Sequence, residues 1–175
     1  MTILFRAPLG VALAVAAILG CGSGGDATTP DGDGPTEGAL PADLVARWHL
    51  EEAGDPTCDP DTGLCSSSFA RSETLELTSA GTFEHSLFAE SNFPPCSLTA
   101  HHQSSGTAEA DGTTLQLHIS EGVTSVQDVC GESGDTDESG KTYSYTYRIE
   151  AGSGGSRQLV LTDEQGDEIG PFDPQ

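Results

Sequence analysis

The chain has 175 residues, with 28 acidic against six basic side chains and a formal net charge of −22. So acidic a surface makes nucleic acid and anionic lipid poor partners, because both are held by clustered Lys and Arg. The length suits one domain of ordinary size with short extensions.

Residues 1–20 read as a targeting segment. Arg6 supplies a positive start, and Leu9 to Leu19 is an apolar run of signal-peptide length. The run is shorter than the roughly 20 residues a spanning helix needs. Gly-Ser-Gly-Gly-Asp follows Cys21, with no basic stop signal. The residues Ile18-Leu19-Gly20-Cys21 resemble the lipobox of bacterial lipoproteins: aliphatic, tolerant, small, then an obligatory cysteine. That resemblance implies removal of residues 1–20, a thioether lipid on Cys21 and acylation of the new amino terminus. A membrane is then the first partner, held through lipid, and two or more acyl chains hold stably where one does not. Under enteric-type sorting, Gly22 favours the outer membrane, with the domain in the periplasm or at the cell surface. Residues 1–20 carry Arg6 and no acid, so the processed chain has a formal charge of −23.

Residues 21–41 are rich in Gly, Asp, Pro and Thr, and nearly without apolar side chains. Such a stretch cannot bury enough to offset its ordering entropy. It reads as a flexible tether, spanning roughly 25 Å as a coil. Residues 42–175 form the acidic folded domain.

With Cys21 given to lipid, Cys58, Cys65, Cys96 and Cys130 remain. An even set in an oxidising compartment reads as two disulfides. Four cysteines allow three pairings. The turn formers Asp59-Pro60-Asp61-Thr62-Gly63 favour Cys58–Cys65, which leaves Cys96–Cys130. Zinc is disfavoured: no C-x-x-C occurs, and no histidines stand at zinc-finger spacing.

Within the domain, Pro41–Val45 has room for a short helix, with Asp43 near its start. Thereafter the apolar period is two. Ala46, Trp48 and Leu50 alternate with Arg47, His49 and Glu51. Leu75 and Leu77 follow, and then Phe83, His85 and Leu87 share a face. Leu115, Leu117 and Ile119 alternate with polar residues, as do Tyr143, Tyr145, Tyr147 and Ile149, and finally Leu159 and Leu161. Half-buried strands produce this alternation. Ser79-Ala80-Gly81-Thr82, Asp111-Gly112 and Gly152-Ser153-Gly154-Gly155 punctuate it, Asp111-Gly112 being a strong hairpin signal. The expectation is an all-β domain: an antiparallel up-and-down meander of about eight strands closed into a lipocalin-like barrel, with a β-sandwich as the alternative. Closure is attractive because it removes exposed edges.

A second resemblance rests on Leu44-Val45-Ala46-Arg47-Trp48-His49-Leu50, Leu75-Glu76-Leu77, Ser79-Ala80-Gly81-Thr82-Phe83, Gly106 to Leu117, and Leu159-Val160-Leu161-Thr162. These segments are similar to the small lipocalin-like domains of bacterial lipoproteins. Ala46 stands where that family commonly has Gly, and Ala108 where it commonly has an aromatic residue. The resemblance implies a fold more than an activity.

No lipase-type G-x-S-x-G, H-E-x-x-H or phosphate loop occurs, so the expectation is a non-enzyme without cofactor. His49, His85, His101, His102 and His118 read as surface residues, not a metal site. Adjacent His101 and His102 would point to opposite faces of a strand. Asp135-Thr136-Asp137-Glu138-Ser139-Gly140 begins like a calcium loop but has Thr146 where a bidentate Glu belongs, so it reads as an acidic hairpin loop. The tyrosine face reads as core, with a ligand-lining role as the alternative. The domain is therefore expected to bind a small apolar ligand or an envelope protein. A structural or protein-interaction module without a pocket is the second expectation.

Overall fold

The computed structural model describes residues 39–56, 68–93 and 95–175. The signal segment, Cys21, the tether to residue 38 and the Cys58–Cys65 pair lie outside the described residues.

Nine strands follow one another: β1 (Ala46–Gly54), β2 (Ser68–Leu77), β3 (Thr82–Phe93), β4 (Cys96–Asp111), β5 (Thr114–Asp128), β6 (Gly134–Asp137), β7 (Thr142–Ala151), β8 (Arg157–Thr162) and β9 (Glu168–Pro174). All their pairings are antiparallel, in the order β4-β3-β2-β1-β9-β8-β7-β5-β6, and β4 also pairs with β5. That last pairing closes an eight-stranded barrel. A sandwich would leave two separate sheets. β6 stands outside the count because it shares an edge of β5 with β7. β6 pairs with Val123–Val126, and β7 with Thr114–His118.

The two-residue period marks the inward residues Trp48, Leu75, Leu77, Phe83, Leu115, Leu117, Leu159 and Leu161, all 3 % exposed or less, and Phe172 on β9, which that period does not mark, is fully buried beside them. Burying side chains of this size contributes about 1.5–3 kcal/mol each. The meander sorts its turns between two ends. Asp111–Thr113 and Ser153–Gly155 lie at one end, the floor. The β3–β4 and β5–β6 connections lie at the other, the mouth.

Leu40 and Leu44 close the floor. Here Pro41–Val45 makes a single turn, not a helix: Leu44 N–H donates to the Pro41 carbonyl at 2.9 Å. Five residues are too few to repay helix nucleation. Trp48 instead fixes the turn by donating its indole N–H to the Leu44 carbonyl at 2.8 Å.

One irregularity sets the upper barrel. Gly106 pairs with Ile119 but Ser105 pairs with Glu121, so Ser120 is an extra residue. Such a bulge adds twist and reverses which residues face inward. Below it Leu115, Leu117 and Ile119 face the interior; above it the even-numbered residues do. A side chain has no room opposite: a Cβ on Gly106 would stand 1.9 Å from the His118 carbonyl oxygen.

A polar layer at the barrel mouth

Above the apolar core the interior turns polar. Glu73 continues the inward series of Leu75 and Leu77, and is 5 % exposed. His102 and Ser104 on β4 are each 8 % exposed. From the β6–β7 connection, Glu138 turns in and is 5 % exposed. Gly122 makes room for it: a Cβ there would meet Glu138 Cβ, Ile119 and Ser104, all at 3.0 Å.

These groups satisfy one another, as buried polar atoms must. Glu73 accepts from Arg71 Nη2 on its own strand, and His85 Nε2 lies 2.8 Å from Glu73 Oε1. The His85 and His102 rings pack 5.0 Å apart. His102 Nδ1 meets Thr124 Oγ1 at 2.8 Å, and its Nε2 meets Ser104 Oγ at 2.9 Å. Tyr143 donates its hydroxyl to Glu138 Oε2 at 2.6 Å, and Lys141 Nζ lies 2.8 Å from the same oxygen. The layer thus reaches from β2 round to β7. Among the described residues one buried side-chain atom lacks a partner, the Nε–H of Arg71.

The layer holds its charges in place. Burial opposes the Glu73 carboxylate, but the hydrogen bond and charge of His85, with those of Arg71, outweigh it and keep the carboxyl below its ordinary value. Burial and the charge of His85 both depress His102, so its imidazole is neutral near pH 7. For Glu138 burial is again the largest influence and is again overcome, by hydrogen bonds from Lys141, Tyr143 and Thr124. Burial, then Glu138, raises Tyr143, and burial, then Glu73, pushes Tyr145 up to about 12. Both remain phenols at any physiological pH.

Exposed apolar side chains stand above this layer at the rim. Phe69 is 48 % exposed, Phe93 56 % and Val129 72 %. The rim is stitched by Cys96–Cys130, with the two Cα atoms 5.4 Å apart, and by Val129 N–H to the Ser97 carbonyl at 3.0 Å.

The histidines divide. His85 and His102 belong to the interior, against the surface placement expected for them; their polar partners on neighbouring strands make an inward face tolerable. His49, His101 and His118 lie outward, each against a neighbouring side chain. No three His, Cys, Asp or Glu among the described residues are placed to hold a metal ion. The segment read as an acidic loop instead contains β6, from Gly134 to Asp137, and its Glu138 is turned inward. Tyr143, Tyr145 and Tyr147 pack against the core. Glu73 was findable, since it keeps step with Leu75 and Leu77. His102 and Ser104 carried no such mark.

Fold and layer together define an all-β protein: a closed antiparallel barrel, apolar at the floor and ionisable at the mouth. Comparison of the chain with protein-family models, curated proteins and solved structures returns no match.

Proposed function

We propose that the protein is an exported lipoprotein, cut before Cys21 and lipid-anchored there, whose lipocalin-like barrel is a binding module. The anchor rests on Arg6, the Leu9–Leu19 run and Ile18-Leu19-Gly20-Cys21. The binding reading is carried by the mouth: exposed Phe69 and Phe93 stand over a polar layer that leaves the Arg71 Nε–H unpaired. A rim of this kind suits a small, largely apolar ligand with one polar group. Exposed aromatics and an unsatisfied buried donor both cost stability, and both are offset when a ligand covers them.

Native mass spectrometry of the protein released from its membrane tests the binding. A retained small-molecule mass, lost from Phe69→Ser/Phe93→Ser, is the expected result. A bare protein mass in both sinks it. The anchor is tested separately with Cys21→Ala, which should lose lipid and membrane association; association unchanged, with the signal still processed, contradicts lipidation. A second reading, an envelope interaction module without a pocket, is favoured by the filled lower barrel, where Trp48, Phe83 and Phe172 occupy the interior. A bare mass in native spectrometry would support it.

A further inference from the structure

We infer that the mouth of the barrel selects an uncharged amphiphile and discriminates against the free fatty acid. Its ligand has one aliphatic tail and a head that both donates and accepts hydrogen bonds, as a monoacylglycerol does. This rests on the binding reading above and adds to it the chemistry of the head.

Strand register lays out the site above the polar layer. Glu52, Arg71, Ala89, Ala100 and Val126 are successive partners across β1–β5. Each stands two residues from a member of the row below, Leu50, Glu73, Leu87, His102 and Thr124, so this row faces the interior as well. β1 and β2 bring charge to one side of the mouth, and β3 to β5 bring short apolar side chains to the other. All five residues are half-buried, so solvent reaches this row, while Glu73 and His102 in the row below are buried. Arg71 and Val126 are three strand spacings apart, roughly 14 Å. That is the length of an extended tail of about a dozen carbons at ordinary bond lengths. Leu98, one row higher, and Phe93 at the rim extend the apolar surface.

A charge count chooses the head. Among the described residues the inward carboxylates here are Glu52, Glu73, Glu138 and, at the rim, Asp128, against the cations Arg71 and Lys141. The sum stays negative even with His85 protonated. Both cations are taken: Arg71 by Glu73, with Glu52 3.9 Å away, and Lys141 by Glu138 at 2.8 Å. A carboxylate head would therefore leave water without a countercharge, which is costly. Hydrogen bonding is what the mouth still offers. Arg71 carries five N–H donors. Glu73 accepts from Nη2, Glu52 is too distant to accept, and the Nε–H has no partner. A carbonyl oxygen uses that guanidinium as a donor and adds no charge. Glu52, its side chain 42 % exposed, accepts from hydroxyls of the same head.

Native mass spectrometry of the full chain, equilibrated near pH 7.5 with 1-lauroylglycerol and laurate at equal free concentrations, reads the preference. The ester-bound species should outnumber the laurate-bound one by about fivefold or more. Glu52→Gln keeps an acceptor for hydroxyls and removes one carboxylate, so it should shrink the ratio about two- to fivefold, the range of a partly exposed charge interaction. Glu109→Gln, exposed on β4, should leave the ratio within about 1.5-fold, because solvent screens a charge outside the barrel. Parent-like emission from buried Trp48 shows that both variants are folded. An equal shift in both variants would trace the preference to the protein's net charge and overturn the inference. Laurate bound as well as the ester would also overturn it, while leaving the binding reading intact. Retention of neither ligand would refute the binding reading, and this inference with it.

Discussion

Gly106→Ala probes the bulge that reverses the upper barrel. An added Cβ would lie 1.9 Å from the His118 carbonyl oxygen and 2.9 Å from the Ser120 nitrogen. Both neighbours are backbone in a closed ring, so relief requires β4 and β5 to part by about 1.5 Å to reach ordinary contact distances. Overpacking of this kind costs about 1–3 kcal/mol, and one ladder hydrogen bond lost beside it about 1 kcal/mol more. The expected total is about 2–4 kcal/mol, a large share of a typical domain's stability. Trp48 is the sole tryptophan and is fully buried, so its emission reports unfolding in urea. Gly134→Ala is the control, since a Cβ there meets nothing within 4 Å; it should change stability by less than about 0.5 kcal/mol. If Gly106→Ala unfolded within 0.5 kcal/mol of the parent, the close approach of β4 to β5 at the bulge would be refuted.

Replacing Cys96 and Cys130 by Ala should cost about 2–4 kcal/mol, since their bridge closes a separation of 34 residues; a denaturant midpoint unchanged by reduction contradicts this. Trp48→Phe should cost about 1–3 kcal/mol, because the Leu44 carbonyl loses its donor in a buried site, and near-ultraviolet dichroism with thermal melts checks it. Acid should destabilise the barrel in two stages. The His102 pKa is lowered from 6.5 on folding, so the unfolded chain takes up the proton first and stability falls as pH drops below about 6.5. Glu73 and Glu138 are lowered from 4.5, so their contribution is full above about 4.5 and is lost as pH falls through their folded values. Urea midpoints at pH 7.5 and 5.5 should therefore differ less in His102→Gln than in the parent; an equal difference removes His102 from the account.

The barrel was legible where one face of a strand is wet and the other dry. Trp48 and Leu50, Leu115 to Ile119, and Leu159 and Leu161 each announce their inward side, and the structure buries all of them. Legibility ended at Ser120, where an extra residue reverses the phase: periodicity stops there, while β5 runs on to Asp128. It failed again where the interior is polar. His102 and Ser104 share the phase of buried Ala108 but are polar, and nothing local says that Thr124, 22 residues away, stands opposite His102 on the neighbouring strand. Gly134–Asp137 has no β-branched or aromatic residue but Thr136, and pairs only because β5 offers it an edge.

The first strand meets the last along a narrow seam. Only Trp48–Pro174 and His49–Asp173 are in register there, with Gln175 N–H reaching the Arg47 carbonyl at 2.9 Å. Local opening favours stretches with few backbone bonds, so this zip parts first, and its amides should exchange with solvent ahead of those of β4 and β5. What an opening uncovers is a poor template for another chain. Pro171 and Pro174 offer no N–H, and Asp173 sets a negative charge between them. On its β9 side, therefore, a parted seam offers another strand few donors and an unfavourable charge.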